Sequence, residues 1–283
     1  MAKVNIEGWK YYNHAMIPST APHIVPDLTE INNGNVWKIP GVLLARYTTD
    51  WNYNKETSWW YIVKDEPFDI SKLKAKRRYE INKGKKNFIV KEIDPKLYAD
   101  DLFEIAYQAY KTYPKYYRPD LSKEQFCRNI DTWNFYKVYG AFYKEDNKLS
   151  GYACLKKDGK YIDFCVMKSI PNMEKHGLNA AMVDKILLDH EDFLTNYGYI
   201  CDGSRSVFHE TAFQDYLEKY FEFRKVYCLL HIQYNPKYKI IIQVAYYFRK
   251  IFLSIDNIRL NKVKALLKME EINRNCKRNG SNE

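Results

Sequence analysis

The tetrapeptide Lys157-Asp158-Gly159-Lys160 constrains this chain more than any other short stretch. Asp-Gly tolerates the positive φ angles of a two-residue hairpin turn, and runs of β-formers flank it at 149–155 and 161–167. A third aromatic and β-branched run, 138–143, precedes them across an Asp146-Asn147 turn. Three antiparallel strands are therefore expected over 138–167. A loop at 168–176 then leads into a helix expected over 178–197, with Val183, Ile186, Leu187, His190, Leu194 and Tyr197 on one apolar stripe and Gly198 as its stop. His190, lying on that stripe, reads as a core histidine. A short strand at 199–202 follows, then a polar loop at 203–206. A helix over 211–221 has Phe213, Leu217 and Tyr220 on one side, and a last strand spans 226–234.

Upstream, a helix over 97–111 places Leu102, Ile105, Ala106 and Ala109 on one face, and Ser122 with Gln125 makes a capping box for the next. The first 39 residues show no period, and Pro18, Pro22 and Pro26 break any helix there. Strands are expected at 41–47, 58–64 and 88–93. A helix is expected over 69–83, capped by Asp69 or Ser71 and stopped by Gly84. This divides the chain into an incomplete companion lobe (1–95), an α/β core with a mixed sheet (96–236) and a basic helical tail (237–283).

Charge sharpens the division. Of the net +10, residues 71–91 contribute +8 and residues 237–283 contribute +7, so the remainder is mildly acidic. Each basic segment reads either as a solvated face or as a surface for phosphates or anionic lipid. The six cysteines have no paired spacing and read as reduced, buried residues of a cytoplasmic protein. No secretory leader, membrane-spanning run, Gly-x-Ser-x-Gly elbow, phosphate-binding Gly-Lys-Ser/Thr loop or metal-ligand cluster stands out, so no metal is expected.

The element order resembles the GNAT superfamily of acyltransferases. Trp59-Trp-Tyr-Ile62, the run 76–84 (Lys-Arg-Arg-Tyr-Glu-Ile-Asn-Lys-Gly), Asp202-Gly-Ser-Arg205 and Phe221-Glu-Phe-Arg-Lys225 make it similar to the Fem-type branch, over roughly residues 40–235. That resemblance implies a GNAT-like fold and transfer of an acyl or aminoacyl group to an amine or hydroxyl of a small-molecule, cell-envelope or sugar-type acceptor. It implies acyl-CoA as the donor, or aminoacyl-tRNA held through residues 71–91. The implied cofactor loop enters the long helix: Lys175, His176, Gly177, Asn179 and Ala180, with Met167 on the strand before. Only Gly177 matches the family's glycine pattern. Asp202 and His209 are the candidate bases; Tyr216, with Tyr220 also near, is the candidate acid. A tyrosine of this kind is followed in the family by a Gly-Phe pair, of which the glycine is here Glu222. A catalytically inert GNAT-like binding module is the alternative.

Residues 240–269 are expected to form one amphipathic basic helix that packs on its own domain, on a second copy or on a membrane surface, leaving the protein cytoplasmic or membrane-peripheral. Residues 273–283 read as a frayed end.

Overall fold

The computed structural model describes residues 6–207, 212–255, 257 and 260–280. In chain order the elements are β1 (Trp9–Tyr12), β2 (Ala15–Pro18), α1 (Thr29–Asn32), β3 (Leu44–Thr49), β4 (Trp59–Lys64), α2 (Ala75–Asn87), β5 (Phe88–Glu92), α3 (Ala99–Lys111), α4 (Lys123–Ile130), β6 (Lys137–Tyr143), β7 (Leu149–Asp158), β8 (Tyr161–Ser169), α5 (Pro171–Glu174), α6 (Leu178–Asp189), α7 (Glu191–Thr195), β9 (Tyr199–Ser204), α8 (Ala212–Phe221), β10 (Arg224–Tyr234), α9 (Pro236–Tyr247), α10 (Arg249–Ser254) and α11 (Asn261–Gly280). The fold is mixed α/β.

Two compact units form. The first holds the described residues of 1–61, 204–211 and 225–283, and the second those of 62–203 and 212–224. These limits differ from the boundaries expected at 95/96 and 236/237. Residues 62–95 belong with the core residues because β5 pairs along its whole length with β6, Phe88 opposite Tyr143 through Glu92 opposite Tyr139.

In the first unit the strand order is β1-β2-β3-β10-β4. The opening hairpin was not visible in the sequence. Its turn residues, Asn13 (φ 47°) and His14 (φ 64°), both adopt left-handed backbone, the conformation of a type I′ turn, without any glycine. Trp9, Met16, Ile31, Val36, Val42 and Ala45 form one core cluster of this unit. Leu44, Trp59, Cys228, Leu230 and Ile232 form another, with Ile272 and Cys276 of α11. Ile272, Asn273 and Cys276 of α11 are therefore core, where the sequence suggested a frayed end from residue 273; Lys277 and Arg278 beyond them are exposed, and 281–283 lie outside the described residues. The helix expected over 240–269 is three helices, broken at Phe248 and again after Ser254.

In the second unit the order is β9-β8-β7-β6-β5. The predicted hairpin is present: Asp158 pairs with Tyr161 and Gly159 takes φ 54°. The expected face of α3 is buried, and the Ser122 hydroxyl accepts from the Gln125 amide at 3.4 Å. The helix expected over 178–197 breaks at His190, whose backbone leaves the helical region (φ −117°, ψ 18°). Its ring is buried, with Nδ1 2.7 Å from the Ile186 carbonyl. Tyr197 does not continue the stripe: it is 85% exposed and left-handed (φ 60°). The Gly198 amide then donates back to the Phe193 carbonyl and closes the helix.

Gly84 is not a helix stop. α2 runs through it to Asn87, and a Cβ at this position would lie 2.3 Å from the Gly177 carbonyl oxygen and 3.2 Å from the Ala181 Cβ. Glycine is required here so that α2 can cross the start of α6 at backbone contact.

Candidate functional site

The second unit has a gap built into its sheet. β8 and β9 pair in parallel as Tyr161–Tyr199, Ile162–Ile200 and Asp163–Cys201, and the register stops there although both strands continue. On its other side β8 pairs Phe164 with Leu155 and Val166 with Cys154, which leaves Cys165 as a bulge residue. A bulge bends its strand and strengthens its twist, so the irregularity stands where β8 and β9 cease to pair.

Asp202 lies one residue past the last pair. Burial raises its carboxyl from the ordinary 3.8 to about 7, the negative charge of Asp163 adds to the rise, and a hydrogen bond with Gln214 partly offsets it. Gln214 itself is buried on α8. It shares a stripe with Leu217 and Phe221, and these three residues, rather than Phe213, Leu217 and Tyr220, are the buried ones. Sequence reasoning passed Gln214 over. Its signal was a polar residue at the i, i+3, i+7 spacing of an otherwise apolar stripe.

The two cysteines beside Asp163 and Asp202 are not set up as nucleophiles. Burial and the Asp163 carboxylate push the Cys165 thiol up to about 12, so it stays protonated near neutrality. Cys201 is fully buried, and its Sγ accepts from the Gly203 amide at 3.2 Å. Tyr216 sits among the rings of Phe213, Tyr220 and Phe221, at centroid separations of 6.1, 4.9 and 5.8 Å. Burial raises its phenol well above the ordinary value and keeps it protonated. His209 lies outside the described residues.

The expected cofactor loop is a tight turn. The His176 amide donates to Met173 and the Gly177 amide to Glu174, while Gly177 caps α6 with φ 86°. Asn87 donates to the His176 carbonyl at 2.9 Å, and Gly84 of α2 presses on Gly177. Lys175 is exposed and Ala180 is buried. Met167 is half-buried, opposite Ala153 in the sheet. Asn179 Oδ1 is buried and has no hydrogen-bond partner among the described residues. The first-turn amides of α6 point away from their own helix by the geometry of any helix start. Those amides are what this loop offers a phosphate-bearing group; the Asn179 oxygen, an acceptor, offers an anion nothing. The contact with α2 leaves little room beside Gly177.

The basic stretch expected at 71–91 is partly consumed by its own unit. Arg78 donates to the carbonyls of Ser71 and Leu73, and Lys85 pairs with Asp184 at 3.1 Å. Lys74, Lys76 and Lys86 remain exposed.

No family model matches the chain, and no curated protein matches it. Among solved structures it is similar to L-PGS from Bacillus licheniformis, at 11% identity and a TM-score of 0.53, over 95% of this chain and 86% of that one. It is also similar to FemX, at 9% identity and a TM-score of 0.52, over 82% of this chain and 85% of that one. The chain has a GNAT/Fem-type acyltransferase-like fold. Within this fold Glu222 stands at the position expected to be glycine, and the backbone explains the expectation: Glu222 takes φ 57°, where glycine carries no penalty. Its carboxylate lies 3.8 Å from the amine of Lys64, which is itself buried.

Proposed function

We propose that the protein is a transferase that moves an acyl or aminoacyl group from an activated thioester or ester to an amine or hydroxyl, with Asp202 as the general base. The observation that carries this is a carboxyl with a pKa of about 7, set where two parallel strands cease to pair and held by a buried glutamine. A base poised near working pH is half ionised and still strong enough to take a proton. The acceptor nitrogen or oxygen attacks the donor carbonyl as Asp202 removes its proton. The tetrahedral adduct then collapses and expels the leaving thiolate or alkoxide, which takes the proton that Asp202 removed from the acceptor, so that the carboxylate is regenerated. The donor supplies the activated carbonyl. The fold shared with L-PGS and FemX supports this class of chemistry. An amine or hydroxyl of a cell-envelope or sugar-type molecule is the proposed acceptor.

For a coenzyme A donor, Lys175, His176, Gly177, Asn179 and Ala180 would hold the phosphates, with Met167 beside the acyl arm. The close crossing of Gly84 over Gly177 favours a donor whose phosphates do not enter that loop, and aminoacyl-tRNA is the second reading. The exposed Lys74, Lys76 and Lys86 supply cations for it. Melting temperature measured with acetyl-CoA, longer acyl-CoAs and charged tRNA separates the donors, because a ligand selective for the native state must raise it.

The test of the base is the pH profile of kcat/KM with the donor so identified. The rate should rise through about pH 7, and Asp202→Asn should lower it by roughly 10²-fold or more. Stability provides a second readout. Folding raises the pKa of this carboxyl, so its contribution is complete below the ordinary 3.8 and is lost as pH climbs through about 7. Asp202→Asn should therefore melt higher than the parent at pH 8, with the difference closing toward pH 4. An Asp202→Asn protein that keeps both its rate and the rising limb overturns the assignment.

A further inference from the structure

The segment after β10 presents an apolar face to solvent. On α9 the side chains turned into the unit are Ile242 and Tyr246. The other side of the helix is not polar: Ile240 is 72% exposed, Ile241 65%, Val244 51% and Tyr247 76%. The exposed apolar residues continue through Phe248, the cap between the two helices, to Ile251 of α10. Within α9, Ile240, Ile241, Val244 and Tyr247 follow one another at i, i+3 and i+4 spacing and so form one surface rather than scattered residues. A contiguous exposed patch of large apolar side chains marks a contact surface.

Charge narrows the identity of what covers it. Residues 236–255 contain Lys237, Lys239, Arg249 and Lys250 and no acidic residue. Lys237, Lys239 and Lys250 are exposed. Arg249 is occupied inside the unit, stacked 4.2 Å over the Tyr246 ring and 3.8 Å from Glu271. Docking a second copy by this face would bring the same lysines together with no carboxylate from the face to neutralise them. A surface that is apolar within and negatively charged at its boundary accepts both the isoleucines and the lysines. No described helix is long and apolar enough to cross a membrane. A 12-residue helix is about 18 Å long, which suits a position in the plane of the interface.

We propose that α9 and α10 form a docking element for an anionic lipid surface, with Ile240, Ile241, Val244, Tyr247, Phe248 and Ile251 entering the acyl boundary and Lys237, Lys239 and Lys250 meeting the headgroups. This does not rest on the transferase reading, and a chain without any transfer activity would still bind lipid through this face.

The test uses the full chain and sedimentation with vesicles of pure phosphatidylcholine or of phosphatidylcholine with about a third phosphatidylglycerol. Binding should be at least about tenfold stronger to the anionic vesicles and should fall with added salt. An Ile241→Asp, Ile251→Asp double variant and a Lys237→Glu, Lys239→Glu, Lys250→Glu triple variant should each lose about tenfold or more on anionic vesicles. Both should melt at the parental temperature, because the altered side chains are exposed. If the double variant melts lower, the triple variant decides alone. Equal binding of parent and triple variant overturns the proposal. So does a parent that binds neither vesicle, including one that runs as a dimer which the Ile241→Asp, Ile251→Asp variant converts to a monomer.

Discussion

α9 and α11 belong to the same unit and are both rich in apolar and basic residues, yet they are arranged in opposite senses. α11 turns polar groups inward. Glu270 is 4% exposed and Asn273 2%; the Tyr234 hydroxyl and Arg274 donate to the Glu270 carboxylate at 2.6 and 2.8 Å, and the Asn273 oxygen accepts from the Ile232 amide at 3.3 Å. α9 turns apolar groups outward. The contrast shows that side-chain polarity alone does not determine which face of a helix packs. A buried carboxylate is tolerated where donors converge on it, and an exposed isoleucine is retained where something other than water is to cover it.

The comparison can be broken most sharply at Glu270. Glu270→Leu should lower the unfolding free energy by about 2–4 kcal/mol, since it leaves the Tyr234 hydroxyl and the buried Asn273 amide without their acceptor. A loss below about 1 kcal/mol in chemical denaturation would mean that α11 is held by its apolar contacts alone. Next comes the inward side of α9, where Ile242→Ala should cost about 2–3 kcal/mol as a buried-chain truncation. A smaller cost would detach α9 from the unit on both faces. The smallest effect is expected outward: Ile240→Gln should change stability by less than about 0.5 kcal/mol, as exposed substitutions do. A large loss there would show that the stripe is already covered by protein.

Much of the second unit was legible in the chain. The Asp158-Gly159 turn, the capping of α4 by Ser122 and the buried face of α3 all follow from local chemistry and periodicity. The candidate carboxyl was legible by position, as the residue at a strand end before a polar loop. Its partners were not. Gln214 is twelve residues further along the chain and Asp163 lies on a neighbouring strand; burial in the packed fold raises the Asp202 pKa most, and these two side chains tune it. The Asn13-His14 turn escaped notice because no glycine marks it.

What the sequence by itself determined is therefore the set of elements whose cause lies within a few residues: turn geometry, helix caps and the apolar stripes of α3 and β6–β8. Only the tertiary structure decided that Gly84 is a crossing point instead of a stop, that α11 is core, and that the stripe of α9 faces out. Periodicity reports how apolar residues are spaced around an axis. Which side meets another element depends on groups brought together from far along the chain, as the Gly177 carbonyl is brought to Gly84 and the Tyr234 hydroxyl to Glu270.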